Sequence, residues 1–309
     1  MHISDKGETN IISISIAMCT YNGIKYIDEQ LETIIQQDYP ILEIVVVDDC
    51  SSDHTVEKIE EWAQKHPGLF KIFINDSNLG FDKNFEKAIA LCSGDLIAIA
   101  DQDDIWMKDK LSSLVGLFSD PKVMLAHGAS ITLKNGRLHH FSGQLRRYQL
   151  FEGNDSRKLF LLNQLSGHNI IFRKSMLNHA LPIPDFMPYD WWLALSATAQ
   201  GEIKAVRKYL VHHRKHGDNA FFSKKRKKNP LTLLERLLLF KRLKNLSTES
   251  TIFLDEFITR VKTREQNKTS KFDWPLFRFL LRNSKIMFGH KKRISPAFTF
   301  FTDSLKFSK

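Results

Sequence analysis

The chain has 309 residues, 42% of them apolar and 26% charged, with three cysteines and a net charge of +10. That composition supplies a buried core and excludes an intrinsically disordered chain, and no apolar run approaches the ~20 residues that span a bilayer. The charge is unevenly held: residues 1–120 carry 22 acidic against 9 basic side chains, and residues 121–309 carry 13 against 36, so an acidic region precedes one drawn to anionic partners. Met1–Asn10 is polar and mixed in charge, unlike a secretory leader. Cys19, Cys50 and Cys92 are odd in number and lack metal-type spacing, which suits a reducing, cytoplasmic setting.

Ile11–Met18 is short, β-branched and apolar, and is predicted to be a strand. Leu31, Ile34 and Ile35 give Asp28–Gln37 helical spacing, and Pro40 separates it from a second strand, Ile41–Val47. Asp48–Asp53 reads as a turn-rich loop before a helix over Thr55–Lys65, broken by Pro67-Gly68. A strand at Phe70–Ile74, a turn at Asn78-Leu79-Gly80, a helix over Phe85–Leu91 and a strand at Leu96–Ala100 follow. Strands alternating with helices at this spacing imply βαβ crossovers, an α/β fold and a mostly parallel sheet.

Beyond residue 120 the pattern loosens. Strands are predicted at Val123–His127, Ser130–Leu133, Gly167–Phe172 and Val206–Val211, with Asn135-Gly136 as a hairpin turn and a helix over Trp191–Ala199. The run Lys224–Lys228 is entirely basic and marks a boundary at 222/223. Leu233, Leu234, Leu237 and Leu238 then share one helical face, and Leu239, Leu243 and Leu246 another.

The strand Leu96–Ala100 ends in Asp101-Gln102-Asp103-Asp104, three carboxylates in four positions. Carboxylates that close repel unless a cation compensates them, and oxygen ligands suit a hard divalent ion, Mg2+ or Mn2+. The competing reading is capping of a helix near Lys108. Asp104 fits that role, but one cap does not use three carboxylates.

In this order the pieces resemble the bacterial family 2 glycosyltransferases of the GT-A fold, a Rossmann-like sheet flanked by helices. Ser15–Gly23 looks like that family's first strand and nucleotide loop, Val45–Asp53 like its second and Asn78-Leu79-Gly80 like its third. Asp101-Gln102-Asp103 looks like its DxD metal motif, and Asp-Gln-Asp-Asp followed by Ile105-Trp106 is similar to a subgroup rich in rhamnosyltransferases. The resemblance covers roughly residues 10–220. It divides 1–222 into a nucleotide-sugar half (about 10–120) and an acceptor half (about 121–222), and leaves 223–309 as a basic helical extension.

What the resemblance implies is an inverting, metal-dependent transfer of rhamnose or a hexose from a UDP- or dTDP-sugar to a growing surface polysaccharide on a polyprenyl or other lipid carrier. Asp103 would bind the metal with Asp101 in support, and His216 would join them at a strand end. Thr20, Tyr21, Asn22, Asp49, Asn78, Gly80, Lys83, Asp101 and Gln102 would form the donor site, with Asp49 accepting the pyrimidine N3–H. For Ser51–Asp53 turn formation is the preferred reading. Asp190, in Pro188-Tyr189-Asp190-Trp191-Trp192, would be the general base, although Tyr189 replaces the usual acidic residue and Asp190 could instead cap a helix. Gly167, His168, Asn169, Trp191 and Trp192 would hold the acceptor. The basic extension suits an anionic membrane surface at the inner face of the cell membrane, a solvated linker before packed helices being the alternative; no nucleic-acid motif is present. A nucleotidyltransferase and a non-catalytic sugar-binding homologue are the other classes. Thr20–Gly23 replaces the basic, Gly-rich loop of the former, and retention of four key aspartates argues against the latter.

Overall fold

Runs of β-branched residues covered on both faces read as continuous apolar strands, and that is how the sheet is built. The structure, a computed structural model, describes residues 11–140, 143–217, 231–266, 272–292 and 296–308. Strands β1 (Ile14–Thr20), β2 (Glu43–Asp48) and β4 (Leu96–Asp101) are buried almost throughout, and β3 (Phe70–Ile74) forms the edge beside β2. Helices α1 (Ile27–Ile35), α2 (Thr55–Lys65) and α3 (Phe81–Leu91) make the crossovers. Ile27, Leu31, Ile34 and Ile59 cover one sheet face, and Phe85, Ala88 and Ile89 the other.

Among the described residues one sheet of nine strands runs β3-β2-β1-β4-β8-β6-β9-β5, with β7 beside β6. It comprises β5 (Ile105–Trp106), β6 (Val123–Lys134), β7 (Arg137–Leu138), β8 (Ile170–Arg173) and β9 (Glu202–Arg214) in addition to the first four. Pairing is parallel through β3-β2-β1-β4, then antiparallel across β4–β8 and β8–β6, and parallel again for β6–β9. The sheet is therefore parallel across its first four strands, as the alternation of strands and helices predicts, and mixed beyond them, where the sequence pattern loosens. Val123–Lys134 is one strand rather than two, because its register shifts against β9 at Ala129 absorb the irregularity that reads as a break. Asn135 and Gly136 both have positive φ (50° and 71°), as the hairpin turn requires.

Helix α4 (Lys110–Val115) follows β5; the residue flanking its N-terminus is Asp109, so Asp104 does not cap it. The segment after residue 120 adds α5 (Gln144–Arg147), α6 (Leu177–Ala180) and α7 (Tyr189–Gln200). Beyond lie α8 (Leu233–Phe240), α9 (Thr248–Gln266), α10 (Trp274–Arg282), α11 (Ser284–Phe288) and α12 (Pro296–Phe307). Helix α8 ends at Phe240, so Leu243 and Leu246 do not share a stripe with Leu239; Leu243 is buried in the following turn. Leu237, Phe240, Phe253 and Phe257 join the same core as Phe160, Trp191 and Phe85, with Phe160 5.9 Å from Phe240 ring to ring. The described C-terminal helices thus share the core that lies against the sheet. The boundary at 222/223 and the basic run 224–228 lie outside the described residues. Among the described residues no helix is long and apolar enough to cross a membrane.

Candidate active site

The sheet order reverses between β1 and β4, the switch point where open α/β sheets leave a crevice at the strand carboxyl ends. Cys19 pairs with Asp101 and Thr20 with Asp48 there. The loops around the crevice are held largely by their own polar groups. Thr20 donates its hydroxyl to Asp48 (2.7 Å), and buried Asp48 also accepts from the Ser51 amide (2.7 Å) and hydroxyl (2.6 Å), the expected turn. Asn22, at φ 49°, accepts from the Ser52 amide at 2.8 Å. Gln102 spends both ends of its amide on the Tyr21 backbone, accepting at 2.8 Å and donating at 3.0 Å. A Cβ on Gly23 would lie 2.3 Å from that Gln102 oxygen, which explains the glycine.

Asp49 is buried and accepts from the Leu79 amide (2.7 Å), the Asn75 side chain (2.8 Å) and the Gly80 amide (2.9 Å). Asn78 donates to the Asp49 carbonyl (3.1 Å), and Gly80, at φ 84°, opens α3. These contacts fill three of about four acceptor positions on the carboxylate. Lys83 is engaged by Glu86 (2.8 Å), Asp185 (3.0 Å) and the Ile183 carbonyl (3.0 Å). Within the loop the Tyr21 ring stays open to solvent, half exposed.

Pairing of β5 with the end of β9 brings the histidine cluster over the acidic turn. His216 lies 2.7 Å from Asp103 through Nε2 and Oδ2, and Arg214 donates to the Asp103 carbonyl at 2.9 Å. Asp104 is fully buried, 3.1 Å from His213 Nδ1, and accepts from the Arg214 amide at 3.0 Å. His168 stacks on His213 (4.6 Å between rings) and sits 3.7 Å from both Asp101 and Asp104. His168 thus faces the acid cluster, where the sequence placed it with the acceptor. Beneath lies Lys110, fully buried, donating to the His168 carbonyl at 2.7 Å with its amine 3.2 Å from the Trp106 ring centre. Sequence reasoning missed Lys110: a lone lysine opening a short helix carries no signal of burial.

Burial pushes Asp103 above the usual carboxylate range, Asp104 and Asp101 add to the rise, and His216 opposes it. Burial raises Asp101 too. It lowers His168 to about 3 and holds Lys110 well below an ordinary amine. For His213 burial works downward, but the Asp104 hydrogen bond lifts it above its usual value. Buried Asp101 Oδ1, Asp104 Oδ2 and His168 Nε2 have no hydrogen-bond partner among the described residues. Ligand atoms of Asp104, His168 and His213 lie within 4.8 Å of one another. Carboxylate oxygens with an imidazole, two of those oxygens orphaned, fit a hard divalent cation.

Asp190 stands in the first turn of α7, whose N-terminal flanking residue is Pro188, so it is not the cap. Its Oδ1 accepts from the Trp191 amide at 2.8 Å. Burial pushes it up to about 7, against the Trp191 and Gly167 amides, with the Asp82 and Asp101 charges adding to the rise. Tyr189 is buried, stacks on Phe85 at 4.5 Å between ring centres, and holds its hydroxyl where a Cβ on Gly167 would come within 1.8 Å. Buried Asn169 leaves both amide atoms without a partner among the described residues. Trp191 and Trp192, expected to flank the acceptor, belong to the core instead. They are 7% and 4% exposed and donate to the Leu159 and Ala180 carbonyls, each at 2.7 Å, because α7 is apolar on nearly every side.

Curated relatives include the uncharacterized Rv1520 of Mycobacterium tuberculosis, 26% identical over 216 residues, 68% of this chain and 61% of that protein. The match thus spans about three fifths of that relative's length. Another is the dTDP-rhamnosyl transferase RfbG of Shigella flexneri, 27% identical over 65% of this chain and 72% of that one. Among solved structures, the mannosyltransferase PcManGT from Pyrobaculum calidifontis, in complex with GDP-Man and Mn2+, superposes with a TM-score of 0.59 at 19% identity, covering 96% of this chain and 85% of that one. The profile of Glycosyl transferase family 2 matches residues 15–181, more than half of the chain and every strand of the donor half, and with that match the chain belongs to glycosyl transferase family 2.

Proposed function

We propose that the chain is an inverting, divalent-metal-dependent glycosyltransferase moving rhamnose or a hexose from a dTDP- or UDP-sugar to a surface-polysaccharide acceptor carried on lipid. One observation carries this reading. Asp190, buried in the first turn of α7, is raised to about 7 by that burial first and then by the Asp82 and Asp101 charges, a proton affinity that suits proton abstraction at neutral pH beside the acidic turn Asp101–Asp104. The relative RfbG, named as a dTDP-rhamnosyl transferase, supports the donor class.

Asp103, Asp101 and His216 would hold the ion, with Asp104 and His213 fixing the turn from below. When bound, it supplies positive charge against the departing nucleoside diphosphate. The remaining acceptor position on Asp49 suits the N3–H of uracil or thymine, and the open Tyr21 ring offers a face to the base. Asp190 accepts the proton of the acceptor hydroxyl as that oxygen attacks the anomeric carbon opposite the leaving group, which inverts the centre. Gly167 and Trp191 hold the carboxylate for this through their amides. Buried Asn169 has both halves of its amide to offer an acceptor hydroxyl.

A donor screen with purified protein, scoring nucleoside diphosphate release with and without Mn2+, tests the reading. Release from a pyrimidine-diphosphate sugar that stops on chelation supports it. Equal turnover after chelation would remove the metal from the scheme.

A further inference from the structure

The C-terminal helices secure their own folding with one face and turn a different kind of face to solvent. Helix α10 buries Leu276, Phe277, Phe279 and Leu280, and presents Trp274, Arg278, Leu281 and Arg282 outward, Trp274 being 64% exposed. Beside it α12 leaves Phe298 69% and Phe301 47% exposed. These rings form one patch: Trp274 meets Phe277 at 5.7 Å, Phe277 meets Phe301 at 5.5 Å, and Phe298 lies one helical turn before Phe301.

Among the described residues, the exposed charges of α10, α11 and α12 have one sign. Arg278, Arg282, Lys285 and Lys306 are exposed. The two acidic residues of the same segments are turned to internal work. Asp273 caps α10 through the Leu276 amide at 2.7 Å, and Asp303 is buried against Lys291 at 2.6 Å. Arg282 shares Glu256 of α9 at 3.3 Å, so the surplus rests on Arg278, Lys285 and Lys306. Exposed aromatic rings among cations are the composition that sits at the headgroup level of a bilayer and is drawn to an anionic leaflet. A second copy of the chain on this face would set like charge against like.

We propose that the outer face of α10, with Phe298 and Phe301 of α12, is a docking surface for an anionic lipid bilayer. The purpose of the contact rests on the lipid-carried acceptor of the proposed function, since docking holds the crevice where such a carrier is anchored; the physics of the contact does not.

The test uses the full chain, sedimented with vesicles of phosphatidylethanolamine and phosphatidylglycerol and, separately, of phosphatidylcholine alone. Binding is expected only to the anionic vesicles, with a blue shift in fluorescence that Trp274→Phe removes. Trp274→Ser with Phe298→Ser and Phe301→Ser, and separately Arg278→Glu with Lys285→Glu, should each weaken binding on the order of tenfold, while nucleoside diphosphate release with a soluble acceptor stays unchanged. Equal binding to both vesicle types, no binding, or variants that bind as the parent does would overturn the proposal. Concentration-dependent dimers that the serine variant abolishes would do so too, by giving the face to a second copy. Loss of the glycosyltransferase reading would show separately, as absent transfer with vesicle binding intact.

Discussion

On the proposed donor side of the crevice two carboxylates are anchored: Asp48 accepts three hydrogen bonds from Thr20 and Ser51, and Asp49 accepts three from Asn75, Leu79 and Gly80 of the loop after β3, while Asp104 is pinned by one oxygen between His213 and the Arg214 amide. On the acceptor side Asp190 has two amides and stands among repelling charges that, with burial, bring it up to about 7. The difference suits the proposed work. A site that binds a fixed nucleotide gains from rigidity, since ordering has been met in folding. A base must release what it takes, so its proton affinity has to lie near the working pH.

The largest test of that contrast is Asp103→Asn, which removes the carboxylate that His216 touches. Metal-assisted stabilisation of the leaving group is worth several kcal/mol, so transfer should fall by about 10³-fold or more, and Mn2+ binding followed by electron paramagnetic resonance should weaken in parallel. Unchanged Mn2+ affinity would move the ion to the inner trio Asp104, His168 and His213. Next comes Asp190→Asn, expected to cost about 10² to 10⁴ in kcat, the usual worth of a general base, while nucleoside diphosphate affinity by calorimetry stays at the parent value. If turnover stayed near normal, the base assignment would be wrong.

The same contrast explains what was legible in the sequence. The donor half announces itself, because β-branched runs ending in Asp48-Asp49 or Asp101–Asp104 need only local pattern to be read, and α2 and β3 fall on their predicted bounds. The acceptor half depends on contacts far apart in the chain. Gly167 is a glycine because of Tyr189, twenty-two residues on, and a Trp pair beside a candidate base looks like a sugar platform until α7 is seen to be buried on almost every side. Gln102 shows the reverse limit. It sits inside a recognised motif, yet its amide serves the Tyr21 backbone, and nothing in the order of residues distinguishes those roles.

A smaller effect is expected from Gly167→Ala. The added methyl meets the Tyr189 hydroxyl, and the ring cannot retreat because it stacks on Phe85 and lies 5.6 Å from Phe81. Overpacking of this kind costs about 1–3 kcal/mol, readable as a lower midpoint in urea. Because the Gly167 amide faces Asp190, kcat should drop more than the fraction folded accounts for. An unfolding curve identical to the parent would mean that Tyr189 is looser than its stacking suggests.

The finest test separates burial from charge at Asp190. With Asp190 as the proposed base, its deprotonated form is the working one, so kcat should climb as pH rises through about 7 and level off above it. Asp82 accepts from the Tyr189 amide at 3.2 Å, and after burial its charge does most to raise Asp190. Asp82→Asn removes that repulsion and keeps an acceptor oxygen for the amide, so the acidic limb of the kcat profile should move to lower pH with the plateau little altered. The sign is the discriminating part: a shift to higher pH would mean that Asp82 stabilises the charged base, through an ordered proton between the two carboxyls, and the acceptor side would then be a coupled pair.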